Sequence, residues 1–271
     1  MPRILPLASL IALLATTLTA CDKQITVVIS QPETPAAVTD EAPVIAVVEE
    51  APVAAPPVAQ VNAERLIAAD KEPGNWMSYG RTYSEQRYSP LQQITADNVA
   101  DLGLDWSFEL ETERGIEATS IVVDGIMYMS SSWSVVHAMD ARTGDHLWTF
   151  DPMVPKEKAK HTCCDVVNRG VAVWEGQVFF GALDGRLFAL DAATGNVNWE
   201  VATFDPKLSH TITGAPRVVK DKVLIGNGGA EFGVRGFISA YNVSDGSLAW
   251  RFYTVPGNPE LGFESDALKM A

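Results

Sequence analysis

From residue 121 onward, apolar residues come in short β-branched and aromatic runs, each broken by a turn pair. Ile121-Val-Val-Asp-Gly-Ile-Met-Tyr-Met129, Val171-Ala-Val-Trp-Glu-Gly-Gln-Val-Phe-Phe180 and Arg217-Val-Val-Lys-Asp-Lys-Val-Leu-Ile225 each predict a β-hairpin. Asp124-Gly125 and Glu175-Gly176 supply the tight turns. Three further segments share one pattern: Ala138-Met-Asp-Ala-Arg-Thr-Gly144-Asp-His-Leu-Trp148, Ala189-Leu-Asp-Ala-Ala-Thr-Gly195-Asn-Val-Asn-Trp199 and Ala240-Tyr-Asn-Val-Ser-Asp-Gly246-Ser-Leu-Ala-Trp250. The step from Ala138 to Ala189 equals the step from Ala189 to Ala240. Each unit therefore reads as four antiparallel strands, and repeats of this length predict the blades of an all-β propeller. Leu102-Gly-Leu-Asp-Trp106 looks like an earlier copy of the last strand, which makes about four blades. Trp106, Trp148, Trp199 and Trp250 stand at repeat positions and are expected to be core joints between blades.

The N-terminal region has neither periodicity. Arg3 precedes an apolar run from Ile4 to Leu18, and Leu18-Thr19-Ala20 leads to Cys21. Residues 1–20 read as a secretory signal peptide. The Leu-Thr-Ala-Cys ending resembles the lipobox of bacterial lipoproteins, in which the cysteine is acylated and becomes the mature N-terminus. Several acyl chains anchor a protein stably where one does not. Residues 21–62 are rich in Pro, Ala, Val and Glu and contain no aromatic residue, so they read as a disordered tether. The expected layout is a periplasmic propeller over 63–271, held to the membrane only through a lipid on Cys21.

Composition narrows the classes of function. The chain has 271 residues, 47% hydrophobic and 20% charged, an ordinary globular balance. A net charge of −14 excludes nucleic acid as a partner and electrostatic docking on anionic lipid. His137, His146, His161 and His210 lack metal-ligand spacing, and no Gly-x-Ser-x-Gly or phosphate loop is present, which leaves hydrolase and nucleotide readings without support.

The equal repeat step hides two compensating insertions. The span from Trp148 to Gly176 exceeds that from Trp199 to Lys222, and the span from Lys222 to Ala240 exceeds that from Gly176 to Ala189 by the same amount. The first insertion carries Cys163, Cys164 and Arg169; the second is the glycine-rich run Gly226-Asn-Gly-Gly-Ala-Glu231-Phe-Gly-Val-Arg-Gly236. Strand order puts both insertions on one rim, together with Glu117 and Thr213, and loops on a rigid scaffold are where sites form.

Each of these residues has more than one reading. Glu231 is either a carboxylate for a hard cation or a solvated turn acid. Arg169 offers a planar fork to a carboxylate or quinone oxygen, or is simply ion-paired. Glu117 is a hydrogen-bonding partner or an exposed acid, and Thr213 a contact or a turn residue. Cys163 and Cys164 are independent thiols, members of distant bridges, or partners of each other. Acylation of Cys21 in an oxidising compartment leaves them only each other within the chain. Adjacent Cα atoms lie about 3.8 Å apart, closer than the roughly 4.4–6.8 Å of an ordinary disulfide, so such a ring is strained.

Asn75-Trp76-Met-Ser-Tyr-Gly80-Arg81, Arg87-Tyr-Ser-Pro-Leu91, Cys163-Cys164-Asp-Val-Val-Asn-Arg169-Gly170, Thr211-Ile-Thr-Gly-Ala-Pro216 and Gly228-Gly-Ala-Glu231-Phe-Gly-Val-Arg-Gly236 together resemble the pyrroloquinoline quinone (PQQ)-dependent alcohol dehydrogenases, the methanol and ethanol quinoprotein group. The resemblance implies an eight-bladed propeller with PQQ at its centre, a calcium or lanthanide ion beside it, and oxidation of a small primary alcohol to an aldehyde. Electrons would pass to a cytochrome c or a quinone-type acceptor. It implies that Cys163 and Cys164 form a vicinal disulfide stacked on one face of PQQ. Glu117, Arg169 and Thr213 would hydrogen-bond its edge, Gly229 and Ala230 would line its carboxylates, and Glu231 would be a metal ligand.

Two departures are small: Ser120 stands where a proline is common, and Asn242 replaces the aspartate of the other two repeats. The larger one is that the family's second stacking face, asparagine metal ligand and catalytic aspartate have no counterpart here. The chain is accordingly expected to be an N-terminal fragment, with no catalytic residue of its own and no activity in isolation. The competing expectation is a cofactor-free propeller lipoprotein, similar to the scaffold subunit of the outer-membrane barrel-assembly machinery. That alternative explains tether and repeat, but has no use for the paired cysteines or Glu231.

Overall fold

A computed structural model describes residues 58–270; the signal peptide, Cys21 and most of the tether lie outside the described residues. Among the described residues, twelve strands form three four-stranded antiparallel sheets, each in simple meander order. The first holds β1 (Ile121–Val123), β2 (Ile126–Ser130), β3 (Val136–Asp140) and β4 (His146–Phe150). β5 (Ala172–Trp174), β6 (Gln177–Gly181), β7 (Arg186–Asp191) and β8 (Val197–Ala202) make the second. The third consists of β9 (Arg217–Val219), β10 (Lys222–Gly226), β11 (Phe237–Asn242) and β12 (Leu248–Tyr253). A short helix α1 (Ala63–Ile67) opens the domain and α2 (Asp266–Met270) closes the described part.

The turn chemistry follows the repeat. Asp124 and Gly125 have φ of 54° and 82°, and Glu175 and Gly176 have 47° and 74°, the left-handed pair that a two-residue hairpin requires. Each third-to-fourth-strand turn closes alike: the amides of Gly144, Gly195 and Gly246 donate to the carbonyls of Asp140, Asp191 and Asn242 at 2.8–2.9 Å. Asp140 Oδ1 also accepts from the amides of Arg142 and Thr143, and Asp191 Oδ1 from those of Ala193 and Thr194. In the third turn Asn242 instead donates to Ser247 Oγ, and Asp245 accepts from the Ser247 amide. The substitution changes which side chain closes the turn and leaves the turn intact.

Three of the four repeat tryptophans join sheets as expected, whereas Trp250 is exposed and meets no following turn among the described residues. A Cβ placed on Gly195 would lie 2.8 Å from the Trp148 ring, and one on Gly246 would lie 2.6 Å from Trp199, so each ring lies flat on the next sheet's turn. Trp148 Nε1 donates to Ala192 O at 3.0 Å, and Trp199 Nε1 to Val243 O at 2.9 Å. Trp106 sits on Gly144 in the same way, with 2.6 Å to a hypothetical Cβ. Its own segment forms no strand among the described residues, so three sheets are complete and the fourth copy contributes only its docked ring.

The tether is shorter than composition suggests. Ala59 and Val61 are fully buried, and their carbonyls accept from Gly176 N and Glu175 N at 3.1 and 2.8 Å. Residues 58–62, assigned above to the tether, therefore cover the second sheet's hairpin turn, supplying its amides with partners that composition cannot reveal. Asn62 then caps α1 through Arg65 N, and Arg65 pairs with Glu72 and Asp124 to fix the helix against the first hairpin. No helix among the described residues is long and apolar enough to cross a membrane.

Candidate functional site

Glu117, Arg169 and Thr213 each stand just before the first strand of successive sheets, and the structure brings them together. Arg169 N donates to Thr213 O at 2.9 Å, and Thr119 N donates to Arg169 O at 3.3 Å. These bonds lock the chain segments side by side before any side chain acts. The Arg169 guanidinium then donates to Thr213 Oγ1 at 2.7 Å and pairs with Glu117 at 2.9 Å. Arg169 and Glu117 keep 36% and 42% side-chain exposure, so the pair is open on one side. Asp165, the carboxylate nearest Arg169 in the insertion, pairs with Arg114 instead. The arginine is thus aimed at the rim and is not spent on its own loop.

Asn168 orders this turn, and nothing in the residue pattern singled it out. It is 2% exposed. Its Oδ1 accepts from Ser130 Oγ and Gly170 N, and its Nδ2 donates to Gly181 O.

The second half of the rim is built from the two insertions. Gly228 and Thr211 exchange backbone bonds at 2.8 and 3.2 Å, fixing the base of the glycine-rich loop. Gly229 has φ of 110°, and a Cβ there would lie 2.6 Å from Ser209 O, so no other residue fits. Ala230 opens a single 3₁₀ turn, Ala230–Phe232, that carries Glu231. The Phe232 ring meets His161 edge-on at 5.9 Å, tying this loop to the insertion that carries the cysteines. Buried Lys158 donates to Leu208 O at 3.0 Å and anchors that insertion further. These loop-to-loop contacts also escaped the sequence, because their partners are far apart along the chain.

Cys163 and Cys164 are both exposed and carry free thiols in this structure. The Cys163 thiol is pushed up to about 12, first by its hydrogen bond with Cys164 and then by Glu231. Glu231 is held below the usual carboxylate range by its own backbone amide and by Cys163. At neutral pH the arrangement is therefore a neutral thiol beside an ionised carboxylate, poor as a nucleophile.

A cavity of about 1050 Å³ lies elsewhere, between residues 108–114 and the β3–β4 face, lined by His137, His146, Trp133 and Lys156 among others. None of the rim residues lines it. One of its walls is the 108–114 segment, whose Phe108 stacks on His146.

One rim of this propeller-type sheet assembly carries the Arg169 fork, the glycine-rich loop with Glu231, and the adjacent cysteines. The chain belongs to the family described as PQQ: glucose/ethanol/alcohol dehydrogenase, beta-propeller domain, which it matches over residues 76–269. It is 60% identical over 214 residues to the quinohemoprotein alcohol dehydrogenase ADH-IIG of Pseudomonas putida, covering 79% of this chain and 30% of that protein. The solved structure of that enzyme superposes with a TM-score of 0.78 over 80% of this chain and 32% of the other. A 1-butanol dehydrogenase (cytochrome c) of Thauera butanivorans is 59% identical over 201 residues, 73% of this chain and 29% of the relative. A europium-containing methanol dehydrogenase structure superposes with a TM-score of 0.68 at 41% identity, over 73% of this chain and 34% of that one. The chain thus spans about a third of the length of the relatives it matches.

Proposed function

We propose that this chain forms the first part of a PQQ-dependent dehydrogenase that oxidises a small primary alcohol to an aldehyde, one half of its cofactor site being the rim described above. The observation that carries the reading is Arg169, whose guanidinium joins Glu117 and Thr213 while its own loop acid pairs elsewhere. The residues suit the group. A planar, multiply anionic quinone calls for an arginine fork, a hydroxyl, and backbone that approaches closely at Gly229. Arg169, Glu117 and Thr213 would hold its edge, Gly229 and Ala230 its carboxylates, and the Cys163–Cys164 pair, oxidised to a disulfide in the periplasm, one face.

Glu231 would supply a calcium or lanthanide ion with one oxygen ligand, and the europium content of one relative favours a site of this kind. Among the described residues no group of three potential ligands assembles, and on this reading the remaining ligands would come from the cofactor and from other parts of the enzyme. PQQ supplies the two-electron redox chemistry when bound; the residues here orient it and set the charge around it. Kinship with a relative named for cytochrome c supports that acceptor, with a quinone-type acceptor as the other choice. The signal sequence and Cys21 support a periplasmic enzyme on a lipid anchor.

The test is PQQ-dependent dye reduction by the full-length dehydrogenase, wild type against Arg169→Ala. Loss of reduction and of cofactor binding is expected, and unchanged activity would overturn the assignment. Residues 1–271 alone are expected to show neither tight PQQ binding nor dye reduction.

A further inference from the structure

Directly behind Arg169 lies a buried amide that the proposed cofactor contacts do not use. Asn168 is 2% exposed. Its Oδ1 accepts from Ser130 Oγ at 2.6 Å and from Gly170 N at 3.1 Å, and its Nδ2 donates to Gly181 O at 2.8 Å. Ser130 ends β2 in the first sheet, and Gly181 ends β6 in the second. One side chain therefore bolts the turn that presents Arg169 to two sheets at once.

We propose that Asn168 is a positioning residue for the cofactor site, fixing the direction in which the Arg169 guanidinium leaves its turn. The proposal rests on the reading of Arg169 as a cofactor contact. Gly170, on the other side of the arginine, has φ of 128°, and a Cβ there would lie 3.0 Å from Thr119 O. The turn is consequently constrained on both flanks, and rotating it would carry the guanidinium away from both Thr213 Oγ1 and Glu117. Only an amide offers an acceptor and a donor on adjacent atoms of this side chain. Aspartate would keep the two accepted bonds but turn an oxygen toward the Gly181 carbonyl. Leucine has the shape and none of the bonds.

The test uses the full-length dehydrogenase with cofactor removed, and measures PQQ affinity by fluorescence titration, the absorption spectrum of the bound quinone, and thermal unfolding. Asn168→Ala and Asn168→Asp are expected to weaken PQQ by about tenfold, the scale of a buried polar group left without partners. In an Arg169→Ala background the same change is expected to alter affinity less than about twofold, because residues acting as one unit are not additive. Ser130→Ala, which removes a single bond, is expected to weaken PQQ about threefold, with the same dependence on Arg169. That variant carries the test if the Asn168 changes do not fold. An equal loss with and without Arg169, or no loss at all, would overturn the proposal. An Arg169→Ala protein that binds PQQ normally would instead overturn the reading beneath it.

Discussion

The two halves of the rim are built by different means. Around Arg169, backbone bonds to Thr119 and Thr213 hold three chain segments together before the side chains meet. Around Glu231, backbone bonds between Thr211 and Gly228 fix the base of the glycine-rich turn, but the turn itself and the two exposed thiols are steadied by a ring contact, His161 on Phe232, and by the Lys158 anchor. The first half is an extension of the sheets, while the second is a pair of loops leaning on each other. Apart from the buried Asn168 that holds its turn, the first half should thus tolerate loss of its rim side chains without moving, and the other should respond to each contact removed.

Arg169→Ala gives the largest expected effect. PQQ affinity should fall at least about a hundredfold, as for loss of a charge-assisted bond, with thermal stability nearly unchanged. A collapse of stability would break the contrast, because it would show that the side chain holds this half together. Next comes Glu231→Gln, expected to weaken calcium or terbium binding by about tenfold or more in the full-length enzyme, read by terbium luminescence. Because the Glu231 carboxylate sits below its ordinary range, cation binding should persist as pH falls through 4.5 and be lost only at lower pH.

A smaller effect is expected at the thiols. In the reduced protein, Cys163 should alkylate at least about tenfold more slowly than free cysteine at pH 8.5, measured by mass spectrometry, since its thiol lies near 12. Fast alkylation would mean that the Glu231 loop does not stay beside it. Replacing both cysteines with serine separates the classes: a quinoprotein should lose activity, whereas an assembly scaffold should be indifferent. A change of another kind, in stability and not in binding, is expected for Gly229→Ala, about 1–3 kcal/mol from a left-handed residue pressed on Ser209 O, read as a lowered Tm.

Much of this contrast was legible before any coordinates. The repeat specified the hairpins, the turn glycines and the tryptophan joints, because each depends on residues near one another in sequence. The compensating insertions pointed to the Cys163 and Glu231 loops. What stayed hidden depends on distant partners. Asn168 acquires its meaning from Ser130 and Gly181, one in each of two sheets. Ala59 and Val61 looked like tether because their burial is decided by the Glu175–Gly176 turn. Trp106 matched its repeat, yet its ring docks without a strand beneath it, since strand pairing needs a neighbour that the described residues do not provide.

The tryptophan joints also run in one direction. Trp106, Trp148 and Trp199 each rest on the turn of the sheet that follows, and Trp250, with no following turn among the described residues, is 45% exposed. A lesion in a turn is therefore felt upstream of where it occurs: a side chain forced onto Gly195 unseats Trp148 of the preceding sheet, and one on Gly246 unseats Trp199. Damage at such a turn is therefore shared by two sheets, the one that bears the strained residue and the one before it whose tryptophan is displaced.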